Sequence, residues 1–193
     1  SIRQDGSSRF NADNRFATFP SFAAAWNLAE ENMFKQSKVI SALKLRFGYG
    51  ETGQQDGIGN YDYLSYYALS GQQGKYQFGN TFYNMYAPGG YYGGRKWEQT
   101  ATTNLALDFG FFNNKLTGSL DVYKKVTSDL LNLVGQPAGA NFSNQVIANV
   151  GDMENKGVEL GLNLQAVNKA NFNWELGFNI TYNENKITNL TIS

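Results

Sequence analysis

The residues best suited to bind something lie between positions 61 and 97. Tyr61, Tyr63, Tyr66, Tyr67, Tyr76, Tyr83, Tyr86, Tyr91, Tyr92 and Trp97 are interleaved there with Gln, Asn and Gly. Aromatic faces beside amide donors suit neutral polar ligands such as glycans, whose C–H faces stack on rings while their hydroxyls take hydrogen bonds. A loop whose tyrosines pack on one another and on a partner protein has the same composition, since Tyr is favoured at protein interfaces.

Catalysis finds little support. Asp108 and Asp121 fall on neighbouring expected strands and face one side, as a glycosidase pair would, but charged side chains opposed across a hairpin are the simpler account. Asp152, Glu154 and Glu159 lack the ligand order of a calcium loop. Gly48-Tyr49-Gly50 with Gly53 is followed by neither the Lys-Ser/Thr nor the helix of a phosphate loop. The chain has no cysteine and no histidine, which removes thiolate nucleophiles, the Ser-His-Asp relay and imidazole or thiolate metal sites. The expectation is a protein that is not an enzyme, with no metal and no cofactor.

The 193 residues carry 16 basic and 16 acidic side chains. Zero net charge argues against nucleic acid, which needs a basic footprint. Charged residues make up only 17%, below the roughly 25% usual for soluble domains. No run approaches the roughly 18 apolar residues of a membrane helix, but alternating membrane strands escape that test.

Those alternating strands are the elements that must position everything else. Thr103, Leu105, Leu107, Phe109 and Phe111 alternate with Asn104, Ala106, Asp108 and Gly110, so one face is apolar and the other polar or small. Across a tight connection at Asn113-Asn114, Leu116, Gly118, Leu120 and Val122 alternate with Thr117, Ser119, Asp121 and Tyr123, which predicts a hairpin. The pattern returns as Val158, Leu160, Leu162 and Leu164, and again from Phe172 through Trp174, Leu176, Phe178 and Ile180 to Tyr182. Leu43 to Tyr49 and a weaker Phe16 to Leu28, with Phe22, Ala24, Trp26 and Leu28 on one side, add two more, giving six strands with the tail of a seventh at Ser1 to Arg3.

The strand length separates two architectures. A soluble antiparallel sheet with one face on a core would alternate in this way. Several strands, however, approach the 9–11 residues needed to cross a bilayer. Short connections at Asn113-Asn114 and Asn168 to Asn171 alternate with long ones at Gly53 to Arg95 and Val134 to Gln145, the asymmetry of outer-membrane barrels, although Glu30 to Ser41 on the short side is longer than the other two. Lys44, Arg46, Asp108, Asp121, Glu159 and Glu175 fall on the polar faces, which suits a watery lumen, and Trp26, Tyr49, Phe172, Trp174 and Tyr182 fall where an aromatic girdle would be. Leu105, Leu107, Phe109, Leu116, Leu120, Leu160, Leu162, Leu164, Leu176 and Phe178 are then expected to face lipid. A soluble β-rich carbohydrate-binding module, with those side chains in a dry core, is the alternative.

The motifs resemble one family. Asp5-Gly6-Ser7-Ser8-Arg9-Phe10, Asn14-Arg15, Phe19-Pro20-Ser21 and Trp26 are similar to the "DGSSRF…NR…FPS…W" signature of SusC/RagA-type TonB-dependent outer-membrane receptors of Bacteroidetes. Later matches keep the family's order: Leu43-Lys44-Leu45-Arg46, Gly48-Tyr49-Gly50, Thr52-Gly53-Gln54, Lys96-Trp97-Glu98, Leu107-Asp108-Phe109-Gly110-Phe111-Phe112, Asn114-Lys115-Leu116-Thr117-Gly118, Asp129-Leu130-Leu131 and Asn155-Lys156-Gly157-Val158-Glu159. The resemblance implies an all-β, antiparallel, up-and-down transmembrane barrel segment in the bacterial outer membrane. It would supply about six or seven staves of a 22-stranded barrel. Residues 1–193 would be a partial barrel without the plug domain, and 53–96 a long tyrosine-rich extracellular loop region. The implied function is active import of oligosaccharides or peptides. The implied partners are a SusD-like lipoprotein, the TonB complex through an N-terminal part outside this chain, outer-membrane lipid and the substrate.

Overall fold

The structure is a computed structural model that describes residues 1–69, 71 and 74–192. The chain opens with β1 (Ile2–Gly6), β2 (Phe16–Asn27), a 3-10 turn at Leu28–Glu30 and β3 (Ile40–Gln54). The long connection holds β4 (Tyr67–Leu69), β5 (Lys75–Phe78), β6 (Thr81–Asn84) and β7 (Tyr86–Pro88). β8 (Glu98–Phe111), β9 (Leu116–Ser128), β10 (Leu131–Gly135), β11 (Gln145–Lys169) and β12 (Phe172–Ile192) follow. Among the described residues there is no α-helix.

The long strands form one antiparallel 8-stranded sheet in chain order, with β1 and β12 at its edges. β9 and β10 are two parts of a single stave along β11. Thr127 pairs with Met153 and Leu131 with Asn149 in the same register, and the break between them falls at Asp129, whose φ is 57°. Counted as staves, the sheet agrees with six strands and the tail of a seventh. It is open, and about eight strands are the fewest that close a transmembrane barrel.

The registers turn the sequence alternation into continuous rows. Trp26, Leu45, Leu107, Leu120, Leu160 and Ile180 stand side by side on one face across β2, β3, β8, β9, β11 and β12. Phe109, Gly118, Leu162 and Phe178 form the row below, and Phe111, Leu116, Leu164 and Leu176 the next. Gly118 is needed where it stands: a Cβ there would lie 2.8 Å from the Phe109 ring and would strike the Gly161 carbonyl. Along β12 the apolar face runs from Phe172 to Tyr182, about 33 Å at about 3.3 Å per residue. At a tilt of about 40° this is about 25 Å along the normal, the height of the apolar band of an outer-membrane barrel.

β11 and β12 run on past that band, to 25 and 21 residues. The same face then changes character, with Lys124 bonded to Glu154 at 2.8 Å and Lys156 to Glu184 at 3.4 Å. The expected strand limits at Val158 and Tyr182, which pair with each other, therefore mark the limit of the apolar pattern, whereas the hydrogen-bonded ladder continues to Val150 and Ile192 because backbone pairing does not depend on which side chains face outwards.

On the opposite face Arg46 reaches Asp108 through two hydrogen bonds, 2.7 and 2.8 Å, and Asp121 at 3.5 Å. Asp108 and Asp121 thus share one guanidinium, which makes them ion-pair partners in the wall. The group is half exposed, so screening limits its value. Arg46→Met is expected to lower stability by about 1 kcal/mol or less, read as a nearly unchanged thermal transition of the purified protein.

The turns follow from local chemistry. Phe112, Asn113 and Asn114 take φ of 55°, 55° and 60° in the β8–β9 turn, a conformation that Asn tolerates better than most residues. Trp26 at the end of β2 donates its indole N–H to Glu31 at 2.9 Å, so the ring can lie against apolar surroundings with its polar edge satisfied.

Candidate functional site

The connections 7–15, 55–97 and 136–144 all emerge at one end of the sheet, and most of the buried residues gather there, Ala106 in the middle of β8 being an exception. Phe10, Phe19, Ile58 and Trp97 form the core cluster, with Ala17 and Leu131 against it. The Phe10 and Trp97 rings stack at 4.9 Å, and Phe19 meets Trp97 at 73°. This core ties the first outer loop to both ends of the long one. Asn11 donates to the Gly93 carbonyl at 2.8 Å and Asn14 to that of Arg95 at 3.0 Å.

The end of the long loop is fastened to β11. Arg95, 3% exposed, donates from Nε and Nη2 to the Ile147 carbonyl at 3.0 and 2.8 Å. Its burial pushes the guanidinium below its ordinary range, and Asp62 at 4.0 Å pulls the other way. Asn149, fully buried, accepts from the Lys96 N–H at 2.9 Å and donates to the carbonyls of Lys96 and Asp129 at 2.9 and 2.8 Å. Its amide thereby substitutes for strand pairing where no strand reaches. Gly90 lies so close to β11 that a Cβ would be 2.8 Å from the Gln145 carbonyl. Neither Arg95 nor Asn149 stands out in the sequence, because neither belongs to a periodic pattern.

The ten aromatic candidates divide into separate groups. Tyr61 and Tyr66 line one cavity of about 660 Å³ together with Asn60, Asp62, Leu64 and Ser65. Tyr67 and Tyr86 belong to the hairpin of β4 and β7, and Tyr76 faces Tyr83 across β5 and β6. Tyr91 exchanges hydrogen bonds with Asn141, at 3.1 Å through its N–H and 2.6 Å through its carbonyl. Tyr63 and Tyr92 are half-buried. Trp97 is 5% exposed and offers no open ring face for stacking a ligand. The aromatic residues between 61 and 97 thus fall into two cavities, one at Tyr61 and Tyr66 and one at Tyr91, two strand pairs and one core residue, with Tyr63 and Tyr92 half-buried.

The arrangement can grip a neutral ligand at the rim through tyrosine rings, amides and a carboxylate. Among the described residues no cluster of His, Cys, Asp or Glu could hold a metal ion.

Comparison with known proteins accounts for this architecture. A family model described as TonB dependent receptor-like, beta-barrel, matches residues 1–192. The chain is 46% identical to the TonB-dependent receptor SusC of Bacteroides thetaiotaomicron over 98% of its own length and 19% of that protein's. It is 38% identical to the TonB-dependent receptor P3 of Formosa agariphila over 97% of its length and 18% of that protein's. Among solved structures, the RagAB peptide importer in its closed-closed state superposes with a TM-score of 0.84 at 29% identity, covering 99% of this chain and 20% of that one. The chain thus spans about a fifth of the length of these relatives. Open sheet, continuous apolar face, outer loops and matched motifs together place the chain in the family of SusC/RagA-type TonB-dependent receptors, as a segment of their outer-membrane β-barrel.

Proposed function

We propose that this chain forms wall and outer mouth of a TonB-driven importer that takes up oligosaccharides or peptides with a SusD-like surface lipoprotein over its mouth. The observation that carries the reading is the two-faced sheet. An uncovered apolar face of membrane height is backed by a face bearing Arg46, Asp108 and Asp121, and the connections 7–15, 55–97 and 136–144 leave at one end, with 28–39 at the other. Apolar side chains exposed in such number need a covering phase, and lipid supplies it at Leu105, Leu107, Phe109, Leu116, Leu120, Leu160, Leu162, Leu164, Leu176 and Phe178. The soluble-module alternative requires a dry core over this face, whereas the core cluster lies at the outer rim instead.

The outer cavity is the expected point of first contact with substrate. Replacing Tyr61 and Tyr66 by Ala in the full-length receptor is expected to reduce uptake several-fold, since each lost stacking or interface aromatic is worth about 1 kcal/mol, while receptor abundance in the outer membrane stays unchanged. Uptake is measured with intact cells, with and without TonB. Unchanged uptake assigns these tyrosines to loop packing, and uptake that persists without TonB contradicts the importer.

A further inference from the structure

Two residues beyond its last apolar row, the apolar face of β9, β11 and β12 turns ionic. Val122, Val158 and Tyr182 stand side by side in that last row. In the next row toward the outer loops Lys124 pairs with Lys156 and Lys156 with Glu184, and one row further Glu154 pairs with Lys186. Two residues are about 7 Å along a strand, so at a tilt of about 40° the first ionic row stands about 5 Å above the apolar band. That height lies within the headgroup layer, roughly 5–8 Å deep on each side of the hydrocarbon. Phe22, Tyr49 and Thr103 continue the same row across β2, β3 and β8, and aromatic side chains gather at the membrane–water interface.

Three ammonium groups and two carboxylates share the patch, which leaves positive charge in excess. Lys124 Nζ lies 2.8 Å from Glu154 and Lys156 Nζ 3.4 Å from Glu184, yet the two lysine side chains are 55% and 52% exposed. An ammonium has three donors, so one carboxylate contact leaves others for a further acceptor. The charges of Lys124, Lys156 and Lys186 all act on Glu154, and the three therefore converge on one spot. Like charges directly opposite on neighbouring strands are unfavourable, and an anion between Lys124 and Lys156 reverses that. Lys125 supplies the contrast. It is next in sequence but pairs with Asn155 on the other face, with its Nζ 5.5 Å from the centre of the Tyr123 ring.

Continuity with the lipid-facing rows decides the occupant. A soluble anionic partner would have to enter the headgroup layer, whereas a lipid phosphate is already at this height with its acyl chains against the row below. We infer that Lys124, Lys156 and Lys186 hold the phosphate of a phosphorylated lipid in the outer leaflet, whose acyl chains lie on Val122, Val158 and Tyr182. The inference rests on the membrane reading of the apolar face and adds to it a lipid of defined headgroup chemistry.

The test titrates the purified full-length receptor in detergent with monophosphoryl lipid A and with the same glycolipid lacking phosphate, and bound lipid is counted by native mass spectrometry. The phosphorylated lipid binds, and millimolar inorganic phosphate does not displace it. Removing the lipid phosphate, or introducing Lys124→Gln together with Lys156→Gln, weakens binding by about 10-fold or more, since each basic residue near a membrane surface adds to the attraction. Lys124→Arg together with Lys156→Arg retains binding, and Lys125→Gln, the same change of charge on the opposite face, leaves it unchanged. Heat-modifiable mobility verifies that every variant is folded. Equal affinity for the two glycolipids, displacement by inorganic phosphate, a glutamine pair that binds like wild type, or an equal loss at Lys125 overturns the lipid site. If the site fails while nitroxide labels at positions 105 and 107 are reached by oxygen in outer membranes, the membrane wall stands without it. Labels there that are reached by a water-soluble reagent remove the wall and the site together.

Discussion

Leu107→Arg in the full-length receptor abolishes assembly into the outer membrane, and Asn104→Arg on the same strand does not. Leu107 stands between Leu45 and Leu120 in the apolar row that crosses the sheet. Arginine at the midplane of such a barrel costs roughly 2–4 kcal/mol, and the substitution also removes a leucine packed on both neighbours. Asn104 points to the other face, where it lines a cavity of about 310 Å³ beside Ala23, Ala25 and Gly48. An arginine there has room and stands on the face that carries Arg46, Asp108 and Asp121, away from the apolar rows. The contrast is read by outer-membrane fractionation and by heat-modifiable mobility of the folded barrel. A sheet with a dry core on the Leu107 face would also reject arginine, so tolerance at Asn104 together with loss of membrane insertion at Leu107 is the informative pair.

The second large effect is at Asn149. Asn149→Ala leaves the Lys96 N–H and the carbonyls of Lys96 and Asp129 without their partner in a fully buried position. Each unsatisfied buried group costs about 1–3 kcal/mol, so a loss of about 3 kcal/mol or more is expected in local stability. The loss is confined to the outer end. Hydrogen exchange should speed up around Arg95 to Glu98 and Asp129 to Leu131, and limited proteolysis should open the 55–97 loop, while exchange in the ladder of β8 and β9 below it is retained. Exchange unchanged in both segments would falsify the role given to this amide.

The contrast between these two positions also explains what the sequence disclosed. Leu107 was readable because a half-buried strand repeats every two residues, and the repeat fixes face, strand and neighbours together. The pairing of Leu107 with Leu120 then follows from the short Asn113-Asn114 turn, whereas Leu45 and Leu160 join the row across long connections. Asn149 was unreadable because its effect comes from meeting Lys96 and Asp129, which only the folded register brings close. Trp97 shows the same limit from the other side. Its composition context suggested a ligand platform, but its contacts with Phe10 and Phe19, distant in sequence, place it in the core. The short strands β4 to β7 were missed because runs of three or four residues carry too few repeats to show a period. Gln55 and Asp56 belong to no pattern at all, and their association with Gln4 and Asp5 depends on the ends of β1 and β3 approaching each other.

The most direct measurement of the central claim uses the absence of native cysteine in this segment. Single cysteines placed in turn at positions 103 to 110 of the full-length receptor, with any cysteine outside this segment replaced, carry nitroxide labels, and their accessibility to oxygen and to a water-soluble nickel chelate is compared in outer membranes. The account predicts a two-residue alternation, with labels at Leu105, Leu107 and Phe109 reached by oxygen and those at Asn104, Ala106 and Asp108 reached by the nickel complex or shielded inside the barrel. Outward positions reached by the water-soluble reagent, or no alternation along β8, would contradict a membrane-spanning wall.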